Sequence, residues 1–595
     1  MEAKTLVDMF QQVVKKHGDK TSLMQKIEGI YQGFSYAEFG ERVKNFGLGL
    51  ASLGIKKGDK VAMMAENRPE WPISDLGILS IGATNVPLYP TITAEQVEYI
   101  LKDSESKMIV VSTSDLLEKM LGIIDNLPKL EKVIYMDDGA PDKDFLIKFD
   151  KVSEMGKAFA KEHPKYFEKA VQKVKSDDLC GIIYTSGTTG APKGVMLTHN
   201  NILSNVLAAL SCIRVDETDT LLSFLPLCHS FERMAGQYLA ITAGATIAYA
   251  ENVETVADNL GEVKPTLMTS VPRLFEKIYA KVLENAEAGS PLKKKIFWWA
   301  IGVGEKYVEA KAKGKVSGAL SFKHNIAHKL VFSKLHERVG GRLRFFVSGG
   351  APLSKEIAEF FYKVGILILE GYGLTETSPV IAVNHEQKFR FGAVGPALPG
   401  VEVKIADDGE VLTRGPHVMK GYYKNPEATA ESIDKDGWLH TGDIGILDED
   451  GFLYITDRKK NILVTSGGKN VTPATIENLL ITSPYVEQSM VIGDKRNYLT
   501  ALIVPKFEVL KKIAAEKGVT YSNREELFSN EVIYGIVESS IHGLTKDLAS
   551  FEQVKKFTLL PKEFTLEDDE ITPTLKVKRK VIMRKYADVI EKMYE

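Results

Sequence analysis

The chain is poor in cysteine, and the few that occur exclude a disulfide scaffold. Cys180, Cys212 and Cys228 are odd in number and lack CxxC spacing, so they predict neither paired bridges nor a cysteine-bound zinc. Residues 1–20 combine helical apolar spacing with charges and lack the continuous apolar core of an export signal. We therefore expect a protein of the reducing cytoplasm.

Long apolar runs and a strong net charge are also missing. The longest apolar stretches, such as 236–250 and 296–303, are shorter than the roughly 20 residues that span a bilayer, which argues against an integral membrane protein. The net charge of -3 provides no general attraction to nucleic acid. An anionic ligand must therefore be held by a local arrangement of donors.

The pattern along the chain predicts two units, since 595 residues are too many for one core. Up to about residue 370, short apolar runs alternate with helical patterns, as in the predicted strands 181–184 and 195–198, which indicates α/β structure with a largely parallel sheet. From about residue 395, short strands with DDG and EDG turns predict a β-rich subdomain. After the charged segment 457–460 an α+β unit begins, with a helix at Pro473 and Thr472 as its predicted N-cap.

The richest loop lies at residues 184–194, between two predicted strands. Its sequence, YTSGTTGAPKG, contains four threonine or serine hydroxyls, three glycines and one lysine. Small residues let backbone amides approach an anion, hydroxyls donate to phosphate oxygens, and lysine adds a mobile positive charge. The string is not a Walker A loop, because Lys193 stands three residues after Gly190 and is followed by glycine. A plain surface loop is the alternative, but the length and order of the string favour a triphosphate cradle.

This string resembles the signature of the adenylate-forming superfamily, which includes acyl-CoA synthetases, luciferases and peptide-synthetase adenylation domains. The similarity extends from about residue 30 to the C-terminus. It implies a large N-terminal domain of α/β subdomains at 1–457, with the β-rich subdomain at about 395–457, and a small mobile α+β domain at 458–595. It also implies an enzyme that activates a carboxylic acid with ATP and transfers the acyl group to coenzyme A.

The resemblance assigns the nucleotide site to several segments. In the loop, the implied ATP contacts are Thr185, Ser186, Gly187, Thr188, Thr189, Gly190 and Lys193. The string EGYGLTET resembles the adenine and magnesium motif, in which Glu370 and Gly371 contact the nucleotide, Tyr372 stacks on adenine and Thr375 bonds the α-phosphate. Glu376 would hold Mg²⁺ with Thr185 as the second protein ligand, since a hard cation prefers oxygen donors. Gly350 and Ala351, at a strand-to-helix turn, would border the adenine and the acyl group.

Two further segments would hold the ribose and the domain hinge. Asp443, in WLHTGD, would accept hydrogen bonds from the ribose hydroxyls, although such an aspartate alone is more often a turn residue. Arg458 would reach the ribose and Lys460 would stand at the pivot, although a charged run alone is usually a solvated loop.

The remaining assignments concern catalysis and coenzyme A. The lysine that assists adenylation is implied to be Lys578, with Lys576 left open because Val577 replaces the usual glycine before the lysine. Together with Lys193 and Mg²⁺, it would offset the negative charge that opposes attack of a carboxylate on a phosphate. His229, in PLCHSF, would line the acyl tunnel, although a histidine in an apolar run is usually a core residue. Gly467, Gly468 and Lys469 would face the pantetheine channel.

The stretch 291–315 resembles a helical segment of long-chain fatty acyl-CoA synthetases. Ile296, Trp299, Val303 and Tyr307 recur at helical spacing, which predicts packing into the protein first and lipid contact second. Lys293 to Lys295 beside Phe297 and Trp298 could favour transient membrane contact. The resemblance is also compatible with a homodimer. The competing hypotheses are an adenylating enzyme with another acceptor, such as a fatty acyl-AMP ligase, and a catalytically inactive lipid- or nucleotide-binding protein.

Overall fold

Two eight-stranded sheets form most of the N-terminal part of the protein, in a computed structural model that describes residues 2–185, 191–565, 568, 570–571 and 577–595. In the first sheet, the five neighbouring strands from Thr84–Leu88 to Leu146–Lys148 pair in parallel. Strand Leu179–Thr185, which precedes the phosphate loop, also pairs in parallel with Thr84–Leu88. Its strands, in spatial order, are Gly421–Tyr422, Lys193–Thr198, Leu179–Thr185, Thr84–Leu88, Lys60–Met64, Met108–Val111, Lys132–Tyr135 and Leu146–Lys148.

The second sheet is parallel in its centre and antiparallel at both edges. Its strands, in spatial order, are Val380–Val383, Leu367–Gly373, Phe345–Ser348, Leu267–Ser270, Thr220–Ser223, Thr246–Tyr249, Thr21–Ile27 and Ile30–Ser35. The predicted α/β region is therefore confirmed. Its parallel strands are nearly continuous apolar runs because both faces of such a sheet are buried.

A third sheet, of five antiparallel strands, forms the predicted β-rich subdomain. Its strands, in spatial order, are Gly395–Pro396, Phe452–Arg458, Leu439–Leu447, Glu410–Arg414 and Glu402–Ile405. The DDG turn joins two of these strands, with Gly409 at a φ of +84° that favours glycine.

The C-terminal part contains a two-stranded ribbon, Leu463–Val464 with Asn470–Val471, and a three-stranded sheet. The strands of that sheet are Val486–Ile492, Leu499–Pro505 and Val554–Leu559. Mixed pairing of these strands with covering helices confirms the predicted α+β character.

Helices cover the faces of these sheets. In the N-terminal part they are Leu6–His17, Tyr36–Ser52, Glu70–Ser80, Ala94–Ser104, Ser114–Leu121, Phe149–Glu162, Tyr166–Gln172, His199–Cys212, Leu239–Ala243, Val256–Val263, Pro272–Glu287, Pro291–Ala312, Gly318–Ala327, Ser333–Arg338, Lys355–Lys363 and Pro426–Ser432. In the C-terminal part they are Pro473–Leu480, Phe507–Lys517, Arg524–Ser529, Glu531–Thr545, Arg579–Lys585 and Ala587–Lys592. The segments Glu232–Tyr238 and His328–Phe332 are π-helical, and Ile124–Asn126, Thr375–Thr377 and Lys459–Asn461 are 3₁₀ turns. Among the described residues, no helix is long and apolar enough to cross a membrane.

One helix face differs from its prediction. In Pro291–Ala312 the buried stripe consists of Phe297, Ala300, Ile301, Val303 and Gly304, whereas Trp299 is 39% exposed and points away from the core. Of the four residues expected to pack inward, only Val303 is fully buried, while Ile296 and Tyr307 are half-buried. The small residues Ala300 and Gly304 decide the face, because a Cβ on Gly304 would approach the Lys363 carbonyl to 2.2 Å.

The start of helix Pro473–Leu480 is capped across the junction between the two parts. Pro473 occupies the first turn as predicted, but within the described residues the Thr472 side chain makes no capping bond. Instead the backbone N–H of Ala474 donates to the Asp457 carboxylate at 3.4 Å, and the N–H of Arg458 donates to the same side chain at 2.6 Å. Asp457 therefore links the last strand of the β-rich sheet to the first helix of the C-terminal part.

Candidate active site

The phosphate loop connects two antiparallel strands that fix its ends. Thr185 pairs with Lys193 across the hairpin, and the Thr185 hydroxyl donates to the Lys193 carbonyl at 3.5 Å. Ser186, Gly187, Thr188, Thr189 and Gly190 lie outside the described residues. The paired strand ends therefore place Thr185 and Lys193 side by side where the loop begins and ends.

Tyr422 joins this lysine to the acidic residue of the second motif. The Lys193 ammonium lies 5.1 Å from the centre of the Tyr422 ring, within cation–π range. The Tyr422 hydroxyl donates to Glu376 Oε1 at 2.9 Å. The short strand Gly421–Tyr422 pairs with Val195 and Met196, which holds the tyrosine beside the loop. Burial, together with the neighbouring Glu376 carboxylate, raises the pKa of Tyr422, so its hydroxyl stays protonated as a donor.

The two predicted protein ligands, Glu376 and Thr185, suit magnesium bound with a nucleotide. Glu376 offers a carboxylate and Thr185 a hydroxyl, and both are the hard oxygen ligands that Mg²⁺ takes. Among the described residues, no cluster of three or more His, Cys, Asp and Glu side chains could hold a metal. One or two protein oxygens, completed by phosphate oxygens, is the usual Mg²⁺ arrangement at triphosphates, so the residues present fit the ion.

We expect Tyr422→Phe to weaken the binding of Mg²⁺, because the substitution removes the hydroxyl that positions the Glu376 carboxylate. The ring and its contact with Lys193 remain, but Glu376 loses its hydrogen-bond donor, worth about 1 kcal/mol net. We expect the Mg²⁺ concentration for half-maximal adenylation to rise about fivefold, with little change at saturating Mg²⁺. Tyr423→Phe, on the neighbouring ring, is the matched control, and an unchanged Mg²⁺ dependence of Tyr422→Phe would refute the role.

The predicted adenine and ribose motifs meet at a buried aspartate. Asp443 is 4% exposed and accepts a hydrogen bond from the Tyr372 hydroxyl at 2.7 Å. Arg458 Nε lies 3.2 Å from the other Asp443 oxygen, because the two residues pair across neighbouring strands. Burial and then the Asp443 carboxylate raise the pKa of Tyr372. Gly371 pairs with Val383 and so fixes the strand that carries Tyr372.

A second acidic residue, Glu370, lies beneath the turn that holds Gly350 and Ala351. Gly350 adopts a φ of +83°, and Ala351 is exposed beside it. The Glu370 carboxylate accepts backbone bonds from Leu353 and Gly392, yet burial raises its pKa to about 8. Among the described residues, Glu370 Oε1 has no hydrogen-bond partner. The contact of Glu370 with a nucleotide stays a prediction.

Glu370→Gln should change the pH dependence of stability. The pKa of Glu370 is 4.5 in the unfolded chain and about 8 in the folded protein. The unfolded chain therefore loses this proton first, and the free energy of unfolding falls as pH rises from about 4.5 to about 8. Glutamine avoids that cost, which is on the order of 1 kcal/mol per pH unit in this range. Relative to the parent protein, the Tm of Glu370→Gln should be nearly equal at about pH 5 and progressively higher towards pH 8. A Tm difference that does not vary with pH would contradict this assignment.

His229 follows the strand Thr220–Ser223 in a turn that contacts the predicted magnesium motif. The Phe231 backbone N–H donates to His229 Nδ1 at 3.2 Å, so the neutral ring carries its proton on Nε2. The next residue, Ser230, lies with its hydroxyl 3.3 Å from that of Thr375. The predicted acyl-lining and phosphate-binding segments are therefore in direct contact.

A buried polar network anchors the helix that follows His229. Arg233 forms an ion pair with Asp75 at 2.6 Å, and both side chains are almost fully buried. Gln237 and Tyr238 also donate to Asp75. On the other side, Glu232 accepts from the hydroxyls of two strands, Ser223 and Thr269, each at 2.6 Å, and its burial raises its pKa to about 7.

The hinge residues lie at the end of the β-rich sheet. Lys459 pairs with Asp408 at 2.6 Å and Glu410 at 3.0 Å, which holds the hinge turn against that sheet. Burial lowers the pKa of Lys460, and the charge of Arg458 adds to the effect. The charges of Asp443, Lys580 and Glu376 also act on the pKa of Lys460.

The C-terminal assignments occupy two places. Lys578 immediately precedes helix Arg579–Lys585, and its backbone N–H donates to the Glu570 carbonyl at 2.7 Å. The alternative, Lys576, lies outside the described residues. Gly467, Gly468 and Lys469 form the turn of the two-stranded ribbon, in which Gly468 has a φ of +71° and the Lys469 N–H donates to the Thr465 hydroxyl at 3.1 Å. The role of this turn in the pantetheine channel stays a prediction.

The sequence analysis did not assign roles to Tyr422, to Ser230, or to the adjacent buried residues Glu232 and Arg233. Adjacent charges in the otherwise apolar sequence LCHSFERMAG were a signal, because buried charges require partners. Tyr422 carried only a weak signal, since GYY is an ordinary edge-strand sequence.

Comparisons with known proteins agree with this geometry. A family model described as AMP-binding enzyme matches residues 10–423, and one described as AMP-binding enzyme C-terminal domain matches residues 460–595. A long-chain-fatty-acid–CoA ligase of Mycobacterium tuberculosis is 36% identical over 96% of this chain and 93% of its own length. One from Xenopus laevis is 32% identical over 99% of this chain and 84% of its own length.

Solved structures support the fold. An anthranilate CoA ligase in complex with anthranoyl-AMP matches with a TM-score of 0.72 at 20% identity, over 99% of this chain and 98% of the other. The adenylation domain of a carboxylate reductase from Mycobacterium chelonae matches with a TM-score of 0.77 at 22% identity, over 100% of this chain and 92% of the other. Family models at both ends of the chain, near-full-length relatives and a shared fold together mean that this chain belongs to the AMP-binding enzyme family, in the adenylate-forming superfamily.

Proposed function

We propose that the protein ligates a long-chain fatty acid to coenzyme A through an acyl-adenylate, and releases AMP and pyrophosphate. The observation that carries the proposal is the contact between Ser230 and Thr375, because it joins the acyl-lining turn of His229 to the phosphate motif of Glu376. An acid activated on ATP requires these two groups side by side. The names of the near-full-length relatives support the same acid class.

In the first half-reaction, a carboxylate oxygen attacks the α-phosphorus and the bond to the pyrophosphate oxygen breaks. A carboxylic acid is already ionised at neutral pH, so no general base is needed, and the obstacle is repulsion between two anions. Lys193, from the loop, and Lys578, from the C-terminal part, would supply positive charge. His229 would donate its Nε2–H to the carboxylate and orient it. Bound Mg²⁺, held by Glu376 and Thr185, would neutralise phosphate charge.

In the second half-reaction, the thiol sulfur of coenzyme A attacks the acyl carbon, the bond to AMP breaks, and the thiol proton is lost. The thiol needs an open path, which Lys578 would obstruct if it remained at the phosphates. We infer that residues 458–595 form a mobile domain that rotates about Arg458 and Lys460, so that Gly467, Gly468 and Lys469 border the pantetheine. Support comes from the separate family model, described as AMP-binding enzyme C-terminal domain, that matches residues 460–595.

We further infer a cytoplasmic enzyme, since all three cysteines are free thiols. A homodimer is expected from the resemblance alone, and its test is the mass of the purified protein in solution.

The test mixes purified protein with ATP, Mg²⁺ and an equal set of straight-chain acids from acetate to arachidate, with and without coenzyme A. Products are identified by mass spectrometry. We expect long-chain acyl-CoA and AMP only when coenzyme A is present. Accumulation of acyl-adenylate without any thioester would indicate a different acceptor, such as that of a fatty acyl-AMP ligase, and binding of ATP without pyrophosphate release would indicate an inactive binding protein.

A further inference from the structure

The helices Pro291–Ala312 and Gly318–Ala327 form a pair that is basic in a chain of almost neutral charge. Residues 291–335 contain ten lysines and two acidic residues, whereas the whole chain has 76 basic and 79 acidic residues. All ten lysines are exposed: Lys293, Lys294, Lys295, Lys306, Lys311, Lys313, Lys315, Lys323, Lys329 and Lys334. Stacking of Tyr307 on His324, with ring centres 3.8 Å apart, holds the two helices together.

Large apolar side chains among these lysines are exposed to solvent. On the first helix, Leu292 is 68% exposed, Trp298 45% and Trp299 39%. On the second helix and its π-helical continuation, Phe322, Ile326 and Leu330 are exposed at intervals of four residues, which places them along one face. We call these six residues and the ten lysines the basic apolar surface.

We propose that the basic apolar surface docks the protein on an anionic phospholipid bilayer. Exposed tryptophan and aliphatic side chains partition into the headgroup region, while lysines are attracted to anionic lipid. Both requirements are met within residues 291–335, none of whose helices is long and apolar enough to cross a membrane.

Two other occupants fit the surface less well. A symmetric dimer would place the same surface of two copies together, and ten lysines against ten would repel. A nucleic acid would pair with the lysines and stack on the tryptophans, but it gives Leu292, Ile326 and Leu330 no apolar partner.

The buried side of the helix pair joins the core of the sheet that carries the acyl side of the site. Phe297 and Phe332 pack in one apolar cluster with Leu222, Phe346 and Ile368, from strands of the second sheet. Docking would therefore place the second sheet next to the lipid bilayer, in which long-chain fatty acids dissolve. This consequence rests on the proposed function, whereas the docking itself does not.

Vesicle binding of the full-length protein tests the proposal without any catalysis. Of the four tryptophans, Trp71 is buried and Trp438 is half-buried between Lys404 and Arg414, so Trp298 and Trp299 are the two that lipid can reach. We expect brominated phosphatidylcholine vesicles containing phosphatidylglycerol to quench tryptophan emission, and high salt or omission of phosphatidylglycerol to weaken the quenching. The double variant Trp298→Phe, Trp299→Phe should still float with vesicles while losing the quenching.

Two further variants separate charge from apolar contact. Lys293→Gln with Lys295→Gln should lower the partition coefficient about fivefold per lysine. Leu292→Gln with Phe322→Gln should lower it about tenfold per side chain. The matched controls are Lys15→Gln with Lys16→Gln, and Ile30→Gln with Val253→Gln, whose apolar residues are 68% and 63% exposed.

Vesicle binding that equals the parent in both surface variants would overturn the proposal, as would binding independent of phosphatidylglycerol. A change from dimer to monomer in the surface variants, measured by sedimentation, would assign the surface to a second copy and also overturn it. Because none of these readouts uses ATP or acid, failure here leaves the ligase proposal intact, and failure of the ligase proposal leaves docking intact.

Discussion

Lys578→Ala should lower the rate of acyl-adenylate formation by about two to three orders of magnitude, the usual effect of removing one preorganised donor from a charged transition state. The reason is electrostatic: negative charge develops on the oxygen between the α- and β-phosphates, and Lys578 is the C-terminal cation proposed to meet it. Its backbone is well anchored, since Arg579, the next residue, donates to Glu477 and to the Val491 carbonyl. The measurement is pyrophosphate release in a single turnover.

Supplying preformed acyl-adenylate with coenzyme A isolates the second step, and Lys578→Ala should carry out that step within a few-fold of the parent rate. Lys576→Ala is the matched variant, two residues away, and should behave as the parent in both steps. A large loss in Lys576→Ala alone would transfer the role to that residue. Normal adenylation in both variants would contradict the assignment of a C-terminal lysine.

Glu376→Gln should lower adenylation by about two orders of magnitude or more, because it removes the carboxylate charge proposed to hold Mg²⁺. Glutamine preserves the shape and retains an oxygen for the Tyr422 hydroxyl, so folding should be unaffected. We expect partial recovery at high Mg²⁺ or Mn²⁺, measured as pyrophosphate release against metal concentration. Glu386→Gln, at a carboxylate that pairs with Arg344, is the control. An unaltered metal dependence of Glu376→Gln would exclude Glu376 as a ligand.

The fold could be predicted where the pattern is local. Strands such as Leu179–Thr185 and Leu499–Pro505 are short apolar runs between polar turns, and their burial requires little knowledge of distant residues. The ordered strings around Lys193 and Glu376 were also recognisable, because phosphate and magnesium need those residue types close together in sequence.

Long-range contacts were not predictable from periodicity. Asp75 and Arg233 are 158 positions apart, and Tyr422 and Glu376 are 46 apart, so no local pattern marks either pair. Trp299 was assigned to the wrong face because aromatic spacing alone does not show which stripe fits a neighbour. The fit depended on Gly304, which lets the helix approach the Lys363 carbonyl. The cap of helix Pro473–Leu480 was not predictable either, because Asp457, which accepts the Ala474 N–H, lies well before the helix in sequence.

If the carboxylate itself attacks the α-phosphorus of ATP, one oxygen of the fatty acid must pass to AMP. A long-chain fatty acid with both carboxylate oxygens labelled is converted in the presence of ATP, Mg²⁺ and coenzyme A, and the AMP is analysed by mass spectrometry. We expect one labelled oxygen in the phosphate of AMP and the other in the thioester carbonyl. Unlabelled AMP, or label in inorganic phosphate, would contradict the acyl-adenylate and with it the proposed function.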